Sequence, residues 1–193
     1  MVILEPPGTY SVKLTVNGRD FTQPLTVIKD PHSAGTEADI AAQHTLLLDI
    51  RQNLDAAVDL VNEIELVRGQ LVALNRVVND PDVARASADL DKKYVELEQN
   101  LVELRSTGRG QDGVRWGAKL VGKMGYLVNG VASADFTPTN QENEVAALHQ
   151  ERVKTYRTQL EALRSRELDP FNELLKKRNF PTILGRTTGR PTS

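Results

Sequence analysis

Cysteine is absent from this 193-residue chain, which excludes disulfide bridges, thiolate metal sites and a cysteine nucleophile. Aromatic residues make up only 5% of it, with a single tryptophan, a composition that suits long helices with aliphatic seams better than a large all-β core. Neither sign of charge dominates. The 24 basic and 26 acidic residues leave a net charge of −2, so no overall field draws the chain to nucleic acid or to anionic lipid. No hydrophobic run approaches the length of a membrane span, and Met1-Val2-Ile3-Leu4-Glu5-Pro6-Pro7 has neither the basic start nor the apolar length of a signal peptide. What is present is ordinary for a water-exposed protein: 39% hydrophobic and 26% charged residues, at a length that fits one or two domains.

The clearest local signal is a β-hairpin over residues 10–27. Tyr10, Val12, Leu14 and Val16 alternate with Ser11, Lys13 and Thr15, the period of a strand with one face buried. Asn17-Gly18 tolerates the positive φ of a two-residue type I′ turn, and alternation resumes at Phe21, Leu25 and Val27. With Val16 and Arg19 flanking the turn, Leu14 lies opposite Phe21 and Tyr10 opposite Leu25. Pro24 cannot donate to a ladder, which makes its strand an edge or turns that position to solvent. Two strands alone are marginal in water. The ribbon therefore reads as the last two strands of an immunoglobulin-like or fibronectin-like sandwich that has about five more. The expectation is that residues 1–31 end a truncated β-sandwich, that the chain is the C-terminal piece of a longer protein, and that Tyr10, Leu14, Phe21 and Leu25 face a partner.

Everything after the hairpin reads as helix. Thr36-Glu37-Ala38-Asp39 is a near capping box. A heptad then places Ile40, Leu47, Leu54 and Val61 in one column and Ile50, Ala57, Ile64, Leu71 and Val78 in another, widened by Leu46, Leu60, Val67 and Leu74. Arg68 and Asn75 interrupt the first column, so packing should loosen there or those side chains should meet partners. Asn79-Asp80-Pro81 ends this helix and starts the next by an Asp cap and a Pro at the first helical position. The second stripe runs Val83, Leu90, Tyr94, Leu97, Leu101 and Leu104, and a connection of three residues makes the pair an αα-hairpin. After a glycine-rich loop at 106–113, residues 114–131 have helical spacing weakened by Gly117, Gly122, Gly125 and Gly130, glycines that read as close backbone approaches. Thr139-Asn140-Gln141-Glu142 is a full capping box, and Asp169-Pro170 repeats the Asp-Pro start signal for a short last helix. Phe180, Pro181, Ile183 and Leu184 should form an apolar clasp. The expected fold is mainly α, an antiparallel bundle of three long helices plus shorter ones over residues 36–184, behind the hairpin and ahead of a disordered tail at 185–193.

Charge is unevenly distributed. Residues 36–79 hold seven acidic and three basic residues, whereas 152–190 hold ten basic and four acidic. Antiparallel packing of the two segments brings opposite fields together, and no aromatic platform interleaves Lys176, Lys177, Arg178, Arg186 and Arg190 as single-stranded nucleic acid requires.

Catalytic constellations are missing. His32, His44 and His149 are far apart and fit no zinc spacing. The pairs Glu63 and Glu65, Glu96 and Glu98, and Glu142 and Glu144 stand two apart and diverge around a helix, unlike the facing carboxylates of a glycosidase. The glycines of 117–130 do not cluster after a strand as a phosphate loop does. No catalytic residue, cofactor or metal is therefore assigned, and the chain reads as no enzyme. Trp116 and Tyr126 are the candidates for a small-ligand contact, although a large aromatic near a helix start is more often core.

Pro7-Gly8-Thr9-Tyr10 to Lys29-Asp30-Pro31, with Leu47-Leu48-Asp49-Ile50-Arg51, Val61-Asn62-Glu63-Ile64 and Arg68-Gly69-Gln70-Leu71, resembles the C-terminal region of bacterial sortilin-like (VPS10-type) β-propeller proteins, often labelled BNR-repeat glycosyl hydrolases. Met124-Gly125-Tyr126-Leu127, Ala134 to Thr139 and Phe171 to Pro181 look like that family's closing segments. The resemblance implies an exported protein whose N-terminal propeller carries any binding or catalysis, followed by a small β-sandwich and a helical bundle. The propeller's Asp-box is absent here, so no family catalytic residue carries over. The resulting expectation is a noncatalytic C-terminal structural or interaction module, partnered by the upstream propeller or sandwich or by another protein, with no nucleic acid and no membrane span. Two alternatives are a stand-alone helical interaction module and a carbohydrate-contacting accessory domain of a secreted hydrolase using Trp116 and Tyr126.

Overall fold

A computed structural model describes residues 3–186. Among them the chain is mainly helical behind a two-stranded antiparallel hairpin. It divides into two compact units, Met1–Gln52 with Gly125–Ala147 and Asn53–Met124 with Leu148–Ser193. The sequence expectation of a disordered tail from residue 185 falls, for 187–193, outside the described residues.

Unit one holds the hairpin, β1 (Gly8–Val16) and β2 (Arg19–Val27). Its register pairs Leu14 with Phe21, Tyr10 with Leu25 and Val16 with Arg19, as the turn and the alternation require. Asn17 and Gly18 take φ of 49° and 77°, the two positive values of a type I′ turn. Helix α1 (Glu37–Asn75) begins in this unit. Thr36 N–H donates to Asp39 Oδ2 at 2.8 Å and Asp39 N–H donates back to Thr36 Oγ1 at 3.1 Å, so aspartate completes the capping box where a longer acid is usual.

The turn at 132–139 is tied to the start of α1. Gln43 Nε2 donates to the carbonyls of Val131 (2.6 Å) and Ala134, and Thr137 Oγ1 donates to Asp39 Oδ1. Gly35 is where backbones approach closely: a Cβ there would lie 1.5 Å from the Asp135 carbonyl oxygen. The glycines of 117–130 meet no neighbouring backbone in this way: a Cβ on Gly117 or Gly125 meets nothing within 4 Å, and one on Gly122 or Gly130 would meet only side chains, Ala118 Cβ at 3.1 Å and Glu142 Oε1 at 3.6 Å.

In unit two, the buried residues of α1 are Ala57, Leu60, Ile64, Val67, Leu71 and Leu74. This is a 3-4 spacing built from the second column and the residues that widen the stripe, while Leu54 and Val61 of the first column are only half-buried on its flank. Helix α1 ends at Asn75, and Val77 and Val78 both bond back to the Leu74 carbonyl. The connection to α2 (Pro81–Leu101) is therefore five residues, 76–80, and still short enough to make the two helices antiparallel neighbours. Asp80 caps α2 through Asp82 N–H (3.0 Å) and Val83 N–H (3.2 Å). The α2 seam of Val83, Ser87, Leu90, Tyr94, Leu97 and Leu101 repeats every four and three residues. Leu104 lies beyond the helix and is exposed.

Residues 114–131 are not one helix. A single turn, α3 (Asp112–Arg115), closes against Thr107, whose N–H donates to Asp112 Oδ2 at 2.7 Å. The chain then extends at Trp116 before α4 (Leu120–Val131). Helix α5 (Asn140–Leu163) starts on the Thr139–Glu142 capping box, with reciprocal bonds of 2.8 and 3.2 Å. The Asp-Pro signal at 169–170 does not start a separate helix. A π turn at Arg164–Leu168 joins α5 to α6 (Asp169–Lys177), and Asp169 N–H donates to Arg164 O. In an α-helix the Pro170 ring would collide with the Arg166 carbonyl and leave it unpaired. The wider turn removes that collision, so the chain continues helically through the proline.

Opposite charges meet in unit two. Glu63 accepts from Arg157 Nη1 (2.7 Å) and Arg164 Nη2 (2.6 Å), and Arg178 pairs with Asp80 at 2.9 Å and Asp82 at 3.3 Å. Much of the basic C-terminal third is thus answered by acids within the unit.

Candidate functional site

The residues that the sequence marks for a partner share one face of the hairpin. Register places Tyr10, Val12, Leu14, Val16, Phe21, Leu25 and Val27 on that face, while Thr9, Ser11, Lys13, Thr15, Asp20, Thr22 and Thr26 line the other. The polar face satisfies itself. Lys13 Nζ stands 2.7 Å from Asp20 Oδ2, and Thr15 Oγ1 donates to Asp20 Oδ1 at 2.7 Å. Lys13, then Thr15, hold the Asp20 carboxyl below its usual range. The apolar face is bare: Leu14 is 60%, Phe21 57% and Leu25 50% exposed. Tyr10 is half-buried, its hydroxyl donating to Pro6 O at 2.6 Å.

The two strand edges differ. Next to a two-residue turn the flanking pair, Val16 and Arg19, exchanges both backbone bonds, and hydrogen-bonded pairs then alternate with pairs that point outward. Pro24, opposite Ser11, falls in an outward pair, so its missing N–H costs the ladder nothing but breaks the outer edge of β2. The outer edge of β1 keeps its donors and acceptors at Thr9, Ser11, Lys13 and Thr15. The sheet has two strands among the described residues, leaving that edge open.

Unit one also contains a cavity of about 240 Å³ lined by residues that include Leu4, Ile28, Lys29, Gln43, His44 and Asp135. His44 Nε2 is buried without a hydrogen bond and lies 3.7 Å from Glu5 Oε2. The volume is below the ~300 Å³ at which ligand pockets begin.

Trp116 belongs to unit two and Tyr126 to unit one. Trp116 is half-buried, with the Arg105 guanidinium 5.5 Å from its ring centroid, a cation–π contact on the surface a sugar would stack against. Glu103 fixes that guanidinium with bonds of 2.7 and 2.9 Å, and Arg105 in turn holds the Glu103 carboxyl down to about 2. Tyr126 is exposed.

Three buried polar groups sit on the helix seams of unit two: Glu98 and His149, which the sequence offered only as catalytic candidates, and Ser87, which it did not single out. Glu98 is fully buried. Arg68 Nη1 donates to its Oε2, and Arg68 Nε also donates to Asp91 Oδ1 at 3.1 Å. Burial pushes the Glu98 carboxyl up, Arg68 opposes this, and the nearby Glu65 carboxylate adds to the rise. Burial, with Arg152 and Lys123, pushes the His149 imidazole down. Ser87 and Glu98 were visible as polar residues in or beside the 83–101 heptad, and His149 as the residue four before Val153 on α5. Among the described residues no cluster of histidine and acidic side chains is placed to hold a metal ion, and no helix is long and apolar enough to cross a membrane.

No protein-family model matches the chain, and neither the curated proteins nor the solved structures compared with it show a significant match.

Proposed function

We propose that this chain is a noncatalytic interaction module whose hairpin completes a β-sandwich belonging to the same, longer and exported polypeptide, of the sortilin-like β-propeller kind that the hairpin and the segments after it resemble. The observation that carries this reading is the amphipathic ribbon with its apolar face in water. A row of large apolar side chains on a free ribbon is a liability unless something covers it. In this reading the next strand pairs with the intact edge of β1, and β2, whose outer edge Pro24 breaks, is the rim of the sheet.

Area favours a sandwich in the same polypeptide over a separate protein. Nine residues at about 3.4 Å each, two strands wide, present roughly 300 Å², well short of the ~800 Å² per partner of a stable interface. A covalently tethered sheet needs no such area, because its effective concentration is on the order of millimolar.

The test is to detect the native polypeptide with an antibody raised against residues 36–184. A species well above 21.4 kDa, whose peptide masses include a β-sandwich upstream of the hairpin, is expected; a sole species of 21.4 kDa refutes the reading. Hydrogen exchange supplies a second check. The hairpin amides should exchange quickly in the isolated chain and slowly in the longer protein, and slow exchange throughout residues 10–27 of an isolated monomer would count against it.

A further inference from the structure

Residues 183–185 are held in unit two by side chains that grip main chain. Asn172 on α6 donates from Nδ2 to Ile183 O at 3.0 Å and accepts Ile183 N–H on Oδ1 at 2.7 Å. Gln70 on α1 treats the next residue the same way, with Nε2 to Leu184 O at 3.0 Å and Leu184 N–H to Oε1 at 2.9 Å. Arg164 of the π turn then donates from Nη2 to Gly185 O at 3.0 Å. Five of the six backbone polar groups of residues 183–185 are thus bound by side chains from three elements. Each amide takes both backbone groups of a single residue, so two successive residues are held by two separate side chains.

Side chains alternate along the same segment. Ile183 is buried and Leu184 is exposed. At Gly185 a Cβ would stand 3.0 Å from Arg164 Nε and 3.1 Å from Leu168 Cδ2, so the groove admits only glycine without displacement. Gln70 is steadied by a bond from Nε2 to Leu66 O at 2.9 Å, and the Arg164 guanidinium by Glu63 at 2.6 Å. The groove is therefore organised by contacts other than the strap itself.

We propose that this groove is a peptide-reading site, filled in cis by the chain's own strap, and that it takes in trans an extended segment of another polypeptide with the order aliphatic residue, any residue, glycine. Bonds to main chain give a grip indifferent to sequence, the buried aliphatic and the glycine give selectivity, and this division is the one by which sheet edges and grooves read extended peptides. The strap competes from an effective concentration on the order of millimolar, so the site is closed at rest and opens when the strap is weakened.

The experiment is fluorescence anisotropy with a labelled, end-blocked peptide of sequence Phe-Pro-Thr-Ile-Leu-Gly-Arg, titrated with the full chain. Wild type should bind it weakly. The full-length variants Gly185→Val, which expels the strap sterically, and Ile183→Asp, which expels it by charge, should each bind at least about ten-fold tighter. Adding Asn172→Ala to either variant should reverse the gain, and a peptide with valine in place of its glycine should not compete. Circular dichroism checks that each variant keeps the wild-type helix content. Failure of both strap variants to gain affinity, or equal binding of the valine peptide, overturns the proposal.

Discussion

Replacing Arg68 by methionine should destabilise the protein by an amount that depends on pH, because it strands Glu98. That carboxyl is fully buried on α2, and Arg68 supplies its counter-charge. Asp91, the other partner of Arg68, is 30% exposed, so water takes over there. The orphaned Glu98 has two courses. It can stay charged, at the roughly 3–5 kcal/mol that breaking a buried pair costs, or it can take a proton. For a carboxyl whose ordinary value is 4.5, protonation at pH 7 costs about 3.4 kcal/mol, at 1.36 kcal/mol per unit. The cheaper course sets the ceiling. The charge contribution is therefore at most about 3.4 kcal/mol at pH 7, smaller by whatever the raised carboxyl of wild type already costs, and falls below about 1 kcal/mol at pH 5, with roughly 1 kcal/mol added throughout for lost hydrogen bonding.

The sign follows from linkage. A carboxyl raised in the folded state contributes stability that is complete below its unfolded value of 4.5 and is lost as pH rises through the folded one. Removing Arg68 raises the folded value further, so the loss continues to higher pH and is larger at pH 7. Urea melts of wild type, Arg68→Met, Glu98→Gln and the double variant at pH 5, 6 and 7 measure it. The double variant should recover most of the pH 7 loss, since a neutral amide in place of the carboxylate needs no counter-charge. A penalty below about 1 kcal/mol at pH 7, or one that does not change with pH, would refute the account of Glu98 as a buried charge held by Arg68.

Three further outcomes are expected. Leu60→Ala, on the fully buried seam of α1, should cost about 2–5 kcal/mol in chemical denaturation, whereas Leu54→Ala, on the half-buried flank, should cost about 1 kcal/mol; equal losses would show that the seam is misplaced. Gly35→Ala should lower the thermal midpoint sharply, by the equivalent of about 1–3 kcal/mol or more, because its Cβ would meet the Asp135 carbonyl oxygen at 1.5 Å; an unchanged midpoint would mean the 132–139 turn does not press on residue 35. The imidazole of His149 is held down by burial and by Arg152 and Lys123, so its contribution to stability is present above the unfolded value of about 6.5 and is lost as pH falls below it. His149→Gln should flatten the dependence of stability on pH between 7 and 5, and an unaltered slope would exclude His149 as its source.

Local chemistry was legible and tertiary placement was not. The hairpin register and the three helix caps at Thr36, Asp80 and Thr139 depend on residues within a few positions of one another, which a sequence displays directly; the end of α2 at Leu101 was not read, since Leu104 continues the apolar spacing. The rotation of the α1 seam depends on what it packs against: the heptad columns and the residues that widen the stripe are all apolar, so periodicity could not choose between Leu54 and Leu60. Asp169-Pro170 misled for a related reason. It carries a start signal in isolation, but a helix already running into it can absorb the proline by a π turn, and nothing in the local sequence distinguishes the two. Arg68 was legible as an interruption needing a partner, although Glu98 was not named as that partner, since it lies 30 residues away.

The ribbon and the strap are opposite cases of the same physics. In the strap, one buried side chain and five main-chain bonds hold a segment whose sequence, Pro-Thr-Ile-Leu-Gly, carries little secondary-structure signal; its place is set by Gln70, Arg164 and Asn172, which belong to three elements. In the ribbon, the sequence specifies strand, turn and register so strongly that the hairpin is legible without a core, yet its apolar side chains find none among the described residues. Alternating Tyr, Val, Leu and Val on a strand do not arise from turn chemistry, which needs only Asn17 and Gly18. They are what burial of one face requires. The mismatch between a face written for burial and a face left in water is why the ribbon, and not the better-packed helices, carries the functional reading.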